Sequence, residues 1–98
     1  MQPLADLDSI LENRIRLAVM AVLASGERAE FTSLRKLMGT TDGNLATHIA
    51  VLERAGYVQV KKSFLGKKPH TTYTASEKGR RAFARHVDAL ERVLRAGR

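Results

Sequence analysis

The sequence predicts an α+β domain that is mainly helical, with one small β-hairpin. Three observations predict it. Apolar residues recur at helical spacing in four separate stretches. Residues 57–74 switch instead to β-branched and aromatic residues in rough alternation around a glycine. Glycines and short polar residues stand at the junctions, where helices start and stop. The chain has 98 residues, 44% hydrophobic and 28% charged, which suits one globular domain over 1–98. No internal repeat, linker or second domain is visible.

Residues 9–25 read as the first long helix. Ser9-Ile10-Leu11-Glu12 has the spacing of a capping box, and Asn13 offers a second start. From Ile15 to Leu23 this helix is apolar on every face, so it is expected to bury one face on the core and another on a partner. Gly26 stops it. Ala29-Glu30-Phe31 is long enough only for a stub of strand. Thr32 is expected to cap a second helix carrying Leu34, Leu37 and Met38, which Gly39 ends. Thr40-Thr41-Asp42-Gly43 is a tight turn. Asp42 is expected to cap a third helix that runs to about Ala55 and closes at Gly56. Its Leu45, Ile49 and Leu52 fall at i, i+4 and i+7 and so face inward. Residues 57–64 and 70–74 form the hairpin, with Leu65-Gly66-Lys67-Lys68-Pro69 as its turn. Ser76 caps a last helix, on which Phe83, Val87, Leu90 and Leu94 repeat at 4-3-4, a heptad-like seam.

Charge narrows the function. Seventeen Lys and Arg against ten Asp and Glu give +7, with a sequence pI of about 10.4. Residues 1–50 hold five basic and six acidic residues, a net of −1, while residues 51–98 hold twelve and four, a net of +8. A basic half-chain points to a polyanionic partner. The chain has no cysteine, which excludes disulfides, thiolate metal sites and cysteine nucleophiles. His48, His70 and His86 are too scattered in sequence to argue for another metal site, and no cofactor is implied. No paired-carboxylate or Ser-His-Asp setting is apparent, so no enzyme is expected. There is no apolar run of membrane-spanning length and no leader pattern at the start, so the cytoplasm is the expected compartment.

Two short helices joined by a glycine-containing turn make a helix-turn-helix, here about residues 32–56. The hairpin of about residues 57–75 follows as a wing. The third helix offers small and polar groups at its start: Thr41, Gly43, Asn44, Thr47 and His48. A major groove about 12 Å wide admits one helix. A helix N-terminus attracts phosphate, Asn pairs with adenine, and glycine lets the backbone approach. Arg54 lies at the far end of the same helix. Lys61, Lys62, Lys67 and Lys68 lie within eight residues around Gly66, with His70 just beyond. Such a loop tracks phosphates or enters the minor groove, and fixes register more than it reads sequence.

Three stretches carry a likeness most specifically. They are Thr41-Asp42-Gly43-Asn44-Leu45-Ala46-Thr47-His48-Ile49, Leu52-Glu53-Arg54-Ala55-Gly56-Tyr57-Val58 and Gly66-Lys67-Lys68-Pro69-His70-Thr71-Thr72-Tyr73. With Asn13–Met20 and Phe31–Leu34 they resemble the winged helix-turn-helix transcriptional regulators of the MarR/ArsR kind, within them the compact single-domain winged-helix DNA-binding group. The likeness spans about residues 7–94. Thr47-His48 matches the Ser/Thr-His pair of the ArsR-like recognition helix. The cysteine metal ligands often found in that pattern are absent, so metal sensing is not carried over.

A helix apolar all round and a heptad seam both ask for a second copy, and a two-fold homodimer is the common solution. Leu7, Ile10 and Leu11 are expected to join Phe83, Val87, Leu90 and Leu94 in that interface. The resemblance implies the same use of the terminal helices, about residues 7–25 and 76–96. Two recognition helices then read half-sites about one helical turn apart on a palindromic operator. The expected function is a homodimeric, sequence-specific double-stranded DNA-binding regulator, more naturally a repressor because occupancy alone represses. A small-molecule effector between the dimerisation helices and the DNA-binding core is compatible with this, but the sequence identifies none. The rivals are a protein-interaction winged helix, which should lack a basic wing, and a sequence-neutral coating protein. RNA binders usually present aromatic platforms. Aromatics here are 5%, and Phe31, Phe64 and Phe83 read as structural.

Overall fold

Asparagine, threonine and serine side chains set where three of the four α-helices begin. The computed structural model describes residues 2–97. The chain opens with two 3-10 turns, Pro3–Asp6 and Ser9–Leu11. Helix α1 covers Arg14–Ala24. The Asn13 side chain caps it, accepting from the Ile15 and Arg16 N–H groups at 3.0 Å each. The first helix therefore does not run from residue 9. Asp8, rather than Ser9, caps the preceding turn, its carboxylate accepting from Ile10 N–H. Strand β1 is the two-residue stub Ala29–Glu30.

Helix α2 covers Phe31–Met38. It begins one residue before Thr32, and Glu30 at its N-cap makes no side-chain bond, so the expected threonine cap is not used. Helix α3 covers Asp42–Arg54. Its cap is Thr41, whose hydroxyl accepts from Asn44 N–H at 3.1 Å. Asp42 is already inside the helix and forms an ion pair with Arg35 of α2 at 3.0 Å. An acidic group in a first turn favours the helix dipole.

Strands β2 (Val58–Leu65) and β3 (Lys68–Ala75) pair antiparallel from Val58↔Ala75 to Leu65↔Lys68. Both run further toward the tip than the sequence suggests. Only Gly66 and Lys67 are left to turn the chain, and Gly66 adopts a φ of +65° that a side chain would resist. Strand β1 pairs with β3 at Tyr73 and Thr72, giving the order β1-β3-β2. Helix α4 covers Glu77–Ala96.

The core gathers Leu11, Val19, Met20 and Leu23 with Leu34, then Leu45, Ile49 and Leu52, then Val58, Tyr73 and Ala75. The face of α4 turned inward is Gly79, Ala82, His86 and Ala89, not the larger residues one position on. The Ser76 hydroxyl locks this helix to the α3–β2 corner. It accepts from Gly79 N–H at 2.9 Å and donates to the Gly56 carbonyl at 2.6 Å. His86 is 2% exposed, and its Nδ1 accepts from the Asp8 N–H at 2.9 Å. The Asp8 carboxylate also accepts from the Tyr57 hydroxyl. Burial and this bond push the Tyr57 phenol up to about 12. These contacts strap the N-terminal segment across the α3–β2 corner and α4.

Candidate nucleic-acid interface

Helix α3 buries Leu45, Ile49 and Leu52. At 100° per residue the opposite face carries Gly43, Thr47, Ala50 and Arg54. Gly43, Thr47 and Arg54 are exposed and Ala50 is half-buried. Three small residues in a row leave the helix backbone open to close approach, with one cation at the end. The Thr47 hydroxyl donates to the Gly43 carbonyl at 3.0 Å, which orients its oxygen lone pairs outward. Ala46 borders this face, and Ala50 lies on it. Sequence reasoning passed over both because alanine carries no hydrogen-bonding group.

Asn44 and His48 sit on the flank of α3 that faces α1. The Asn44 amide donates to the Thr40 hydroxyl at 2.7 Å. His48 Nδ1 stands 3.0 Å from an Arg16 guanidinium nitrogen. A guanidinium only donates, so Nδ1 accepts and the ring is neutral. Burial and, secondly, the Arg16 charge lower the His48 pKa. Arg16 also donates to the Ile10 carbonyl at 2.6 Å. A groove lined by Asn13, Arg14, Leu37, Thr40, Asn44 and His48 separates this flank from α1 and α2. Arg14 is exposed at its edge. Its nearness to α3 was not visible in the sequence.

Beyond Thr72 the hairpin is a ribbon two strands wide, because β1 ends there. Lys61, Lys62, Lys67 and Lys68 are all exposed on it. None of them forms an ion pair among the described residues. Alternation puts Lys61 beside Gln59 on one face and Lys62 beside Val60 and Phe64 on the other. Arg28, from the loop before β1, lines a shallow groove with Lys61. His70 is half-buried at the ribbon base, with its ring 3.7 Å from Glu30, so it is turned to the sheet more than to the tip. Phe64 is not a structural aromatic: it is 70% exposed. Phe31, by contrast, packs on Tyr73 with ring centroids 6.4 Å apart.

The expected interface residues divide by burial. Leu11 is 0% exposed. It is spent on this chain's own core and has no surface to offer a partner. Leu7, Ile10, Phe83, Val87 and Leu90 are half-buried, and Leu94 is 68% exposed. The Pro3–Asp6 turn packs on α4, where Arg92 bridges Asp6 at 2.7 Å and Asp88 at 3.1 Å. Among the described residues, no cluster of three or more His, Asp or Glu could hold a metal ion, and no helix is long and apolar enough to cross a membrane.

Known proteins are similar to this chain in sequence and in fold. Residues 15–94 match the family model described as a winged helix DNA-binding domain. An uncharacterized protein of Methanocaldococcus jannaschii is 35% identical over 78 residues, which are 80% of this chain and 85% of that one. The structure of a transcriptional regulator homologue from Pyrococcus horikoshii superposes with a TM-score of 0.87 at 32% identity, covering 98% of this chain and 97% of that one. A PadR family transcriptional regulator from Eggerthella lenta superposes with a TM-score of 0.68 at 26% identity, covering 85% and 76%. The matched span carries the helix-turn-helix, the wing and most of α4: the chain belongs to the winged-helix DNA-binding domain family and is a DNA-binding transcriptional regulator, not an enzyme.

Proposed function

We propose that this chain is a homodimeric repressor that reads a palindromic operator in the cytoplasm. Helix α3 enters the major groove with Thr41, Gly43, Thr47 and Arg54 toward the duplex. Asn44 and His48 reach the groove edge from the flank, with Arg14 on the adjoining phosphates. The wing places Lys61, Lys62, Lys67 and Lys68 on the backbone or at the minor groove, with His70 at its root. The observation that carries this reading is the pairing of two surfaces. The outer face of α3 is small enough for close approach, and the ribbon beside it keeps four cations free of carboxylates.

The dimer rests on apolar surface that the monomer leaves partly uncovered. Leu7, Ile10, Phe83, Val87 and Leu90 are half-buried on the terminal elements, Ile10 and Phe83 with one side on the core, and Leu94 is exposed. A two-fold contact there sets two α3 helices to read half-sites about 10 base pairs apart. Repression needs only occupancy of a promoter, and a chain given over to scaffold and DNA surface is sufficient for it.

Selection from a random duplex DNA pool at about 0.15 M salt tests the reading. An enriched inverted repeat is the expected result. Retention of duplex without enrichment rejects sequence-specific repression and leaves a coating protein. No retention rejects DNA binding by the isolated chain and points to the protein-interaction role.

A further inference from the structure

The wing tip exposes apolar side chains where a loop that only tracks phosphate needs none. Phe64 and Leu65 are two of the five large hydrophobics that the described residues leave in water, at 70% and 64% exposure. Alternation turns them to opposite faces of the ribbon. Phe64 stands directly across from Pro69, and Lys62 stands across from Thr71 two pairs nearer the body, on the same face. The Gly66-Lys67 turn closes the ribbon immediately beyond. One face of the tip is thus an aromatic ring beside a proline, with Lys62 behind and Lys67 ahead.

This pattern fits one partner. Four lysines on so short a ribbon repel a second copy's tip and any basic surface. They match two rows of phosphates, and between such rows lies the apolar floor of sugar and base edges. A minor groove about 6 Å wide admits a ring but not a two-stranded ribbon. Apolar side chains at such positions unstack a base step and kink the duplex.

Resting on the placement of the wing against DNA, we propose that Phe64, flanked by Pro69, is a wedge that enters the minor groove beside each half-site and opens a base step there. The lysines hold the phosphates on either side. The wing then senses how easily the flank deforms, and favours flexible pyrimidine–purine steps that it never reads by hydrogen bonds.

The test uses the full chain and a duplex carrying the selected inverted repeat. 2-Aminopurine is substituted in turn at the steps flanking each half-site, and dyes on the two ends report bending. The wild-type protein is expected to raise the fluorescence at one flanking step and to shorten the end-to-end distance. Phe64→Ala is expected to abolish both, with about a tenfold loss of affinity, and to leave the melting temperature and the salt dependence unchanged. Phe64→Leu is expected to keep most of the fluorescence rise. Phe64→Ala matching wild type in fluorescence and bending overturns the wedge while leaving the repressor reading intact. A Phe64→Ala protein that falls from dimer to monomer in sedimentation also overturns it, assigning the tip to a second copy. A wild-type chain that binds no duplex overturns both readings, and selection shows this before any variant is made.

Discussion

The wing lysines and the arginines of α4 supply most of the positive charge in residues 51–98, and most of those arginines are paired where the lysines are not. On α4, Arg81 meets Glu77 and Arg95 meets Glu91, each at 3.2 Å. Arg92 meets both Asp6 and Asp88. Arg80 donates to the Ala75 carbonyl at 3.1 Å, but it and Arg85 meet no carboxylate among the described residues. On the wing, Lys61, Lys62, Lys67 and Lys68 meet no carboxylate among the described residues. Exposed pairs one helical turn apart add little stability, but they cancel the field. A net charge counts both groups alike. Only the unpaired group keeps a potential that a phosphate can feel, so the basic face of this domain is smaller and more directed than its composition suggests.

The comparison breaks most severely where α4 docks. A Cβ on Gly79 would lie 2.2 Å from the Tyr57 carbonyl oxygen, a main-chain atom with little room to move. Gly79→Ala is expected to cost about 3 kcal/mol, read as a lowered denaturation midpoint. A midpoint within error of wild type would mean that α4 is not seated as described. Leu94→Glu should affect assembly instead. It is exposed in the monomer, so the fold should hold while sedimentation shows monomers and operator affinity falls. An intact dimer would move the interface elsewhere.

Smaller effects separate the N-terminal strap from the DNA face. Tyr57→Phe removes the bond to Asp8 and should lower stability by about 1 kcal/mol near neutral pH. The folded phenol holds its proton to about 12, above its ordinary 10. The stability it lends is therefore complete below pH 10 and lost as pH rises toward 12. Tyr57→Phe should flatten that alkaline decline, and an unchanged alkaline limb would remove Tyr57 from the strap. His48 has the opposite sign. Its pKa is lowered from 6.5, so its contribution is present above 6.5 and lost as pH falls through the folded value. His48→Gln keeps an acceptor for Arg16 and should flatten this acid limb slightly, measured by denaturation between about pH 7 and 5.

The order of elements was legible in the sequence because local signals agreed with the fold. Gly26, Gly39 and Gly56 end or follow their helices, and the alternating run from Tyr57 onward became the sheet edge. What could not be read depended on distance. Helix α4 lies so close to Tyr57 that only a glycine fits at position 79, Ala82 and Ala89 are buried further along it, and His86 is satisfied by a main-chain N–H from the far end of the chain. The apolar repeat of Phe83, Val87, Leu90 and Leu94, expected to face a second copy, lies one position on from this intrachain contact line, which small residues and a histidine do not announce. Ser76 and the second start at Asn13 cap their helices as the sequence predicts, whereas the other caps were misplaced by one or a few positions, since Thr41 and Asp42, or Asp8 and Ser9, carry similar oxygens and only the backbone decides between them. Phe64 looked structural because the extent of the ribbon beyond β1 is a tertiary fact. In the candidate site, residue types and the wing charge were readable. Which side of α3 each residue occupies was not, since Asn44 and His48 turn toward partners on the Thr40 loop and α1.

The most direct test of the central claim is the salt dependence of duplex binding in two double variants. Lys67→Ala with Lys68→Ala removes unpaired cations, and Arg81→Ala with Arg95→Ala removes paired ones. The wing variant is expected to lower the slope of log K against log salt by about one to two units per subunit, and the α4 variant to leave it at the wild-type value. Equal slopes in the wing variant and wild type, or a loss confined to the α4 variant, would contradict the assignment of the wing to DNA.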